Sequence, residues 1–313
     1  MFFMRLKVGW LFFVLAVSFV GPFSYGNTHR LSTWGRYDDY ATSIVIDQKV
    51  YDTLAANKFI MNLDYVSTGK HWGGGVEGLF DIFNSRKITY REASPFNGAY
   101  RTISEFGLKA PSFKVLYQFG GGEGAMSLDL LQLKVTPSMV QTRTAENSVY
   151  IKPGHQLEAL LCLKSNWLEQ VWKMKAQYLY RMSDGIYDST TSLEISKMTA
   201  QKKLSVLMEW SPLRWQRNQQ LTLEGGGVVF ADTSSGYSGI GNPDLLAGYF
   251  QIIYGLKNEW QVSPNLNLWV MYENHYIPNR YFESGAFKMT ISQSNVHSAI
   301  LGLNYSWENE NKH

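Results

Sequence analysis

A single cysteine, Cys162, stands among the 313 residues. That excludes an intramolecular disulfide framework and any multi-cysteine metal cluster. Beyond the first 26 residues there is no run of about 18 uncharged apolar residues, the length a spanning helix needs. With a mean hydropathy of −0.21, a polytopic helical membrane protein is excluded. An excess of one charge sign is missing too. Basic residues number 29 and acidic residues 26, and two of the basic ones, Arg5 and Lys7, precede Val8. The remainder is close to neutral, so a pI of 8.7 gives no argument for nucleic acid as a partner. What the chain has in quantity is apolar and aromatic: 45% hydrophobic residues, with 10 Trp, 19 Tyr and 17 Phe. That suffices for a core or a lipid-facing belt and excludes a disordered chain.

The first 26 residues read as a targeting segment. Arg5 and Lys7 give a positive start, residues 8–23 are almost unbroken apolar, and Ser24 and Gly26 are small residues at −3 and −1 of a cut before Asn27. This is the pattern of a secretory signal peptide. An uncleaved anchor helix is the alternative, and the Gly21-Pro22 break argues for cleavage. The expected organisation is a signal peptide over 1–26 and one β domain over 27–313, with 27–56 as a periplasmic lead-in or a first strand.

The strongest signal is alternation at period two. Phe113, Val115, Tyr117 and Phe119 oppose Lys114 and Gln118. Trp172, Met174, Ala176, Tyr178 and Tyr180 oppose Lys173, Lys175, Gln177 and Arg181. A helix would spread those charges round its circumference, whereas a strand puts them on one face. The same pattern recurs over 155–164 (with Glu158 on the polar face), 203–210 (Lys203, Glu209), 221–229 (Glu224), 250–257 (Gln251), 266–273 (Glu273) and 298–307. Weaker candidates are 57–68, 74–84, 100–110, 124–136 and 189–198. A phase flip between Leu130 and Leu131 predicts a bulge. The expected count is 12 strands, within 10 to 14. Ser183-Asp184-Gly185, Ser211-Pro212 and Ser263-Pro264-Asn265 read as turns. A tight turn at 165–168 would place Glu158 opposite Lys175.

Long half-polar strands bury their apolar faces either inward, in a soluble sandwich or barrel, or outward, into lipid. Three features favour lipid: strands of about 10 residues, Trp and Tyr near strand ends, and export without disulfides. The last strand adds Gly302-Leu303-Asn304-Tyr305-Ser306-Trp307. This Gly-x-x-aromatic-x-aromatic pattern resembles the closing-strand signal of Gram-negative outer-membrane β-barrel proteins, carried here by Gly302, Tyr305 and Trp307. The resemblance implies an all-β, antiparallel up-and-down transmembrane barrel in the outer membrane. It further implies outer-membrane lipid and lipopolysaccharide as surroundings, and the barrel assembly machinery as a partner during biogenesis. Residues 308–313 extend past the last aromatic, where many such proteins stop.

The expected interior, a pore lining in an open barrel, is Lys114, Gln118, Glu158, Lys173, Lys175, Arg181, Lys203, Glu209, Glu224, Gln251 and Glu273. No cofactor is expected. His71-Trp72-Gly73-Gly74-Gly75 lacks the Lys-Ser/Thr pair of a phosphate cradle and reads as strand, as does Gly225-Gly226-Gly227. The histidines form no close pair on one face, so no metal site is expected. Two sites with His155 and His297 fit the interface belt. The leading functional reading is passage or recognition of small polar solutes. A lipid- or lipopolysaccharide-modifying hydrolase is an alternative, built on His275 with Glu273, Asn274 and Ser292 or Ser294. A structural or adhesive barrel binding through loops 85–99, 232–243 and 277–293 is another, and a soluble secreted β protein is the last.

Overall fold

A computed structural model describes residues 28–46, 49–90, 101–104, 107–108, 111–119, 127–137, 149–152, 154–167, 170–182, 185–188, 194–197, 201–216, 218–232, 250–284, 287–291 and 293–308. No helix occurs among them. Twelve strands form the wall: β1 (Thr28–Ile46), β2 (Lys49–Thr68), β3 (Trp72–Tyr90), β4 (Ser112–Gln118), β5 (Ser127–Thr136), β6 (Gln156–Trp167), β7 (Gln170–Arg181), β8 (Gln201–Gln216), β9 (Gln219–Asp232), β10 (Phe250–Ser263), β11 (Leu266–Ile277) and β12 (Ser294–Glu308). Each pairs antiparallel with the next. β1 pairs on one side with β2 and on the other with β12, so the sheet closes on itself. Closure removes the free edges that an open sheet would expose to lipid.

The alternation sets the faces. Val115 is 54% exposed and Lys114 beside it 9%; Ile252 is 41% exposed and Gln251 8%. Leu133, Leu157, Leu204, Val206, Phe250, Leu256, Leu268 and Leu301 also face out. Lys173 lies on the opposite face of β7 from Trp172 and Met174 and pairs with inward Glu209. A soluble barrel would show the reverse distribution.

One end carries short connections, at 69–71, 119–126, 168–169, 217–218 and 264–265, and both Thr28 and Glu308 lie there. The other end carries the long ones. Here β1, β2 and β3, of 19, 20 and 19 residues, run well past the ~9–11 that cross a bilayer. Val149–Lys152, Gly185–Asp188 and Glu194–Lys197 form a small sheet that continues β6, β7 and β8 in the same register. The hairpin Arg280–Ser284 with Phe287–Ile291 pairs with the far end of β1. Part of the expected loops 85–99 and 277–293 is therefore strand, while 232–243 lies outside the described residues apart from its first position.

Several expectations are corrected. The β6–β7 turn is 168–169 rather than 165–168, so Cys162 rather than Glu158 stands opposite Lys175, and Glu158 faces Leu179. Both residues point inward, but Glu158 pairs with Lys134 and Lys175 with Glu209. Ser211-Pro212 is no turn: β8 bulges there, between Trp210 and Leu213, and continues to Gln216. A proline lacks the ladder donor, and a bulge accommodates it. The bulge expected at Leu130/Leu131 falls between Leu128 and Leu130. The connection from β5 to β6, after Thr136 and before Gln156, lies on the long-loop side. Arg101–Ser104 and Gly107–Leu108 pair with β3 beyond β4, so they and β4 are one wall position, and Glu194–Lys197 belongs to the small sheet.

Candidate functional site: the charged lumen

β1 to β11 each set a charged residue on the inner wall: Arg36, Asp64, Glu77, Lys114, Lys134, Glu158, Lys175, Glu209, Glu224, Lys257 and Glu273 in strand order. β12 contributes Ser298, which is fully buried. These residues divide into linked groups. Across β2 to β6, Lys114 Nζ lies 2.9 Å from Asp64 and 2.9 Å from Glu77, and Lys134 Nζ lies 3.4 Å from Glu77 and 2.8 Å from Glu158. Lys114 and Lys134 stand directly opposite, an arrangement of like charges that destabilises a ladder by itself. Glu77 offsets it by accepting from both. Asn62 donates to Glu77 at 2.8 Å.

A second group spans β10, β11, β12 and β1. Arg36 reaches Glu273 at 2.9 Å and Asp38 at 2.6 Å, and donates to Ser298 Oγ at 2.9 Å. Ser298 donates in turn to Asp38 at 2.6 Å. His275 contacts Glu273 and, at 3.3 Å, Gln251. A third group holds Lys175 on Glu209, with Glu224 opposite Glu209 in register. Lys257 pairs with Glu259 at 2.7 Å and lies 5.0 Å over the Trp269 ring.

All eleven expected interior positions fall on the inward phase of their strands. Lys114, Glu158, Gln251 and Glu273 are buried there, whereas Gln118 is exposed at the short-turn rim. Lys173, Arg181 and Lys203 lie on the same wall. Arg36, Asp38, Asp64, Glu77, Lys134 and His275 escaped the sequence reading of this interior, and Lys257 and Ser298, though on polar faces, were not among its expected residues. β1 was masked by the aromatic Trp34 and Tyr40 on its polar face, and β3 and β5 by the glycines and the bulge that blur their alternation. Lys257 was visible on the polar face of β10, and its period was the available signal.

The closing-strand residues have separate duties. A Cβ on Gly302 would collide with the Trp269 ring, so the inward indole packs directly against the glycine. Trp307 faces outward, stacked on His29 at 5.2 Å and on Tyr305 at 5.6 Å, with Tyr65 at 6.2 Å. Tyr65 and His29 hydrogen-bond at 2.9 Å. Trp72, Tyr117 and Phe119 make a second outward cluster at the same end, and Trp172 stacks on Trp210 at 5.4 Å. Amphipathic rings in such a girdle mark a membrane–water boundary.

Among the described residues the hydrolase grouping does not assemble, since His275 bonds to Glu273, Gln251 and Arg36 and to no serine. His275 is inward, Ser294 stands opposite Ile277 with its buried Oγ unpartnered, and Ser292 lies outside the described residues. The histidine with an asparagine partner is His297, on the outer face: Asn274 Nδ2 lies 2.9 Å and Tyr272 OH 2.7 Å from its Nδ1. Its neighbours on that face of β12 are Asn295 and Ala299, and among the described residues its partners across the sheet are Asp39 and Asn274, with no Ser, Thr or Cys. Among the described residues no group of three His, Cys, Asp or Glu is arranged to hold a metal ion. His71 to Gly75 runs into β3, where the glycines pack close against β2 and β4.

No family model and no curated protein matches the sequence. Solved structures do. An outer membrane channel from Pseudomonas putida F1 superposes with a TM-score of 0.52 at 8% identity, over 91% of this chain and 96% of that one. The translocator domain of the autotransporter NalP from Neisseria meningitidis gives a TM-score of 0.49 at 11% identity, over 96% and 95%. At such identities the likeness is one of fold: the chain has the architecture of outer-membrane β-barrels.

Proposed function

We propose that this protein is an integral outer-membrane barrel that passes small polar solutes through a narrow bore ringed by charge, without covalent chemistry. The observation that carries the reading is the band of Arg36, Asp64, Glu77, Lys114, Lys134, Glu158, Lys175, Glu209, Glu224, Lys257 and Glu273 inside a closed wall whose outer face is apolar. Fixed charges in a low-dielectric wall set ion preference through their fields. Five of these residues are basic and six acidic, and most are engaged with one another. A ring so balanced favours small solutes of either sign over bulky ones of one sign. Export by a signal peptide cut between Gly26 and Asn27, insertion by the assembly machinery through Gly302, Tyr305 and Trp307, and residence among outer-membrane lipids and lipopolysaccharide complete the reading.

The purified full chain in a planar bilayer is expected to give discrete conductance steps. Glu209→Gln with Glu224→Gln is expected to shift the reversal potential under a KCl gradient toward anion preference, and Lys114→Met with Lys134→Met toward cation preference. Absence of conductance at every voltage would overturn passage while leaving the barrel. Conductance indifferent to both pairs would overturn the role of the ring.

A further inference from the structure

Among the described residues, like charges that face each other across the inner wall have an opposite charge lodged on them, with one exception. Asp64 stands opposite Glu77, and Lys114 Nζ lies 2.9 Å from each. Lys114 stands opposite Lys134, and Glu77 lies 2.9 Å from the first and 3.4 Å from the second. Glu209 stands opposite Glu224, and Lys175 is held on Glu209. The exception is Lys164 on β6, directly opposite Lys173 on β7. Among the described residues no carboxylate makes a salt bridge with either lysine.

The surroundings do not supply the missing charge. Glu209 faces Lys173 across the β7–β8 ladder, but its carboxylate goes to Lys175. Asp129 sits in the bulge of β5, between Leu128 and Leu130, and makes no salt bridge with Lys164. The other inner-wall neighbours are Cys162 and Val171 on the two strands, with Ser127 and Ser211 on the strands beyond. Both lysines are only half-buried, whereas Lys114 in its satisfied group is 9% exposed. A dissolved ion therefore reaches the pair from the lumen. Trp172, beside Lys173, stacks on Trp210 in the outer girdle, which sets the pair near the membrane–water boundary, at the short-turn mouth.

Residues directly opposite in a ladder have Cβ atoms about 4.5–5.5 Å apart, and like charges there destabilise it. Two long, rotatable side chains from such positions converge on one small group. Each ammonium brings three donors and a point charge, a set that suits a compact tetrahedral oxyanion and demands no planar fork. From this we infer that Lys164 and Lys173 form a site for a small oxyanion of the phosphate class at the short-turn mouth of the lumen. The anion takes the place that Glu77 and Lys114 fill for the satisfied pairs. The inference rests on the lumen's being a path for solutes and names a class of solute for it. Because both side chains are on the inner wall, the ligand is a dissolved anion rather than a lipid headgroup.

The test titrates inorganic phosphate into the full-length barrel in detergent, at fixed ionic strength with chloride as the balancing anion, and reads broadening of the phosphorus NMR resonance. Saturable broadening is expected, and Lys164→Gln with Lys173→Gln is expected to weaken it at least about tenfold, since two charge-assisted hydrogen bonds are lost. Arg30→Gln removes another lumen-facing cation at the same end, on β1 opposite Ser306, and is expected to change it less than about twofold. Heat-shifted gel migration gives a second readout that needs no variant. Phosphate in place of chloride is expected to raise the temperature at which the wild-type form unfolds, as a ligand of the folded state must. In chloride the double variant, relieved of its facing charges, is expected to be the more heat-resistant of the two and indifferent to phosphate. Broadening that is absent, that survives the double substitution, or that Arg30→Gln weakens equally overturns the inference, the last by showing a diffuse positive mouth. A double variant less heat-resistant than wild type in chloride overturns it as well. So does displacement of phosphate by phosphatidylglycerol, which would make the pair a headgroup site. Phosphate binding without conductance brings down passage and leaves the site, whereas conductance without phosphate binding brings down the site alone.

Discussion

At the scale of single residues, the interior is held by contacts that fail in identifiable ways. Gly302 has no room for a side chain because the Trp269 indole occupies the place of its Cβ. Gly302→Val is expected to destabilise the barrel by about 1–3 kcal/mol, the usual cost of overpacking, read as a lower urea midpoint of the heat-modifiable form. Trp269→Ala in the same chain is expected to recover most of that loss, and a double-mutant cycle isolates the coupling. A loss that persists in the double variant would mean that Gly302 serves backbone geometry rather than the indole. Lys114 presents the opposite case. It is nearly buried and joins Asp64 and Glu77. Lys114→Met leaves two carboxylates in the wall without that partner, a defect of about 3–5 kcal/mol for a buried pair broken on one side. Adding Asp64→Asn and Glu77→Gln is expected to restore most of the stability, because a neutral hydrogen-bonded interior no longer holds stranded charge.

At the scale of strands, the period was legible and the register was not. Alternation in β4, β6, β7, β8, β10, β11 and β12 assigns both faces correctly, since a one-residue slip would turn every apolar side chain into the lumen. Periodicity gives no information on a slip of two or four, which preserves every face. That is why Glu158 and Lys175 were matched four residues out of place. The choice between registers lay in the length of one turn, 168–169. A cross-link separates the two alternatives. Cys162 faces Lys175 in the structure, so Lys175→Cys is expected to oxidise to an intrachain disulfide with the native thiol. In the other register Cys162 would face Val171, and Val171→Cys is expected to stay reduced. Mass mapping of non-reduced fragments reads the outcome, and a bond formed by Val171→Cys alone would revive the shifted register. β1 eluded the pattern for a different reason. Trp34 and Tyr40 sit on its inward face beside Arg36 and Asp38, so its polarity does not alternate cleanly, and the acids and bases it carries were absent from the expected interior.

At the scale of the whole molecule, two surfaces that no single strand reveals emerge only when the ring closes. The lumen band draws one charge from each of eleven strands, and each strand alone offers a charge among several. Glu77, Lys134 and Glu158 become one group because β3, β4, β5 and β6 are neighbours, a fact of topology that sequence spacing does not encode. The outer face is likewise a property of assembly, with an aromatic girdle at Trp307, His29 and Trp72 and an apolar span closing ~25 Å away. That height makes a further measurement decisive. A barrel tolerates a bilayer best when hydrocarbon thickness matches its apolar belt, and mismatch costs fractions of a kcal/mol per Å. Reconstituted into phosphatidylcholines of increasing acyl length, the protein is expected to resist heat best where the hydrocarbon core is near 25 Å and to lose resistance as the core thickens past 30 Å. An optimum past 30 Å instead would show that the apolar belt runs on beyond that span.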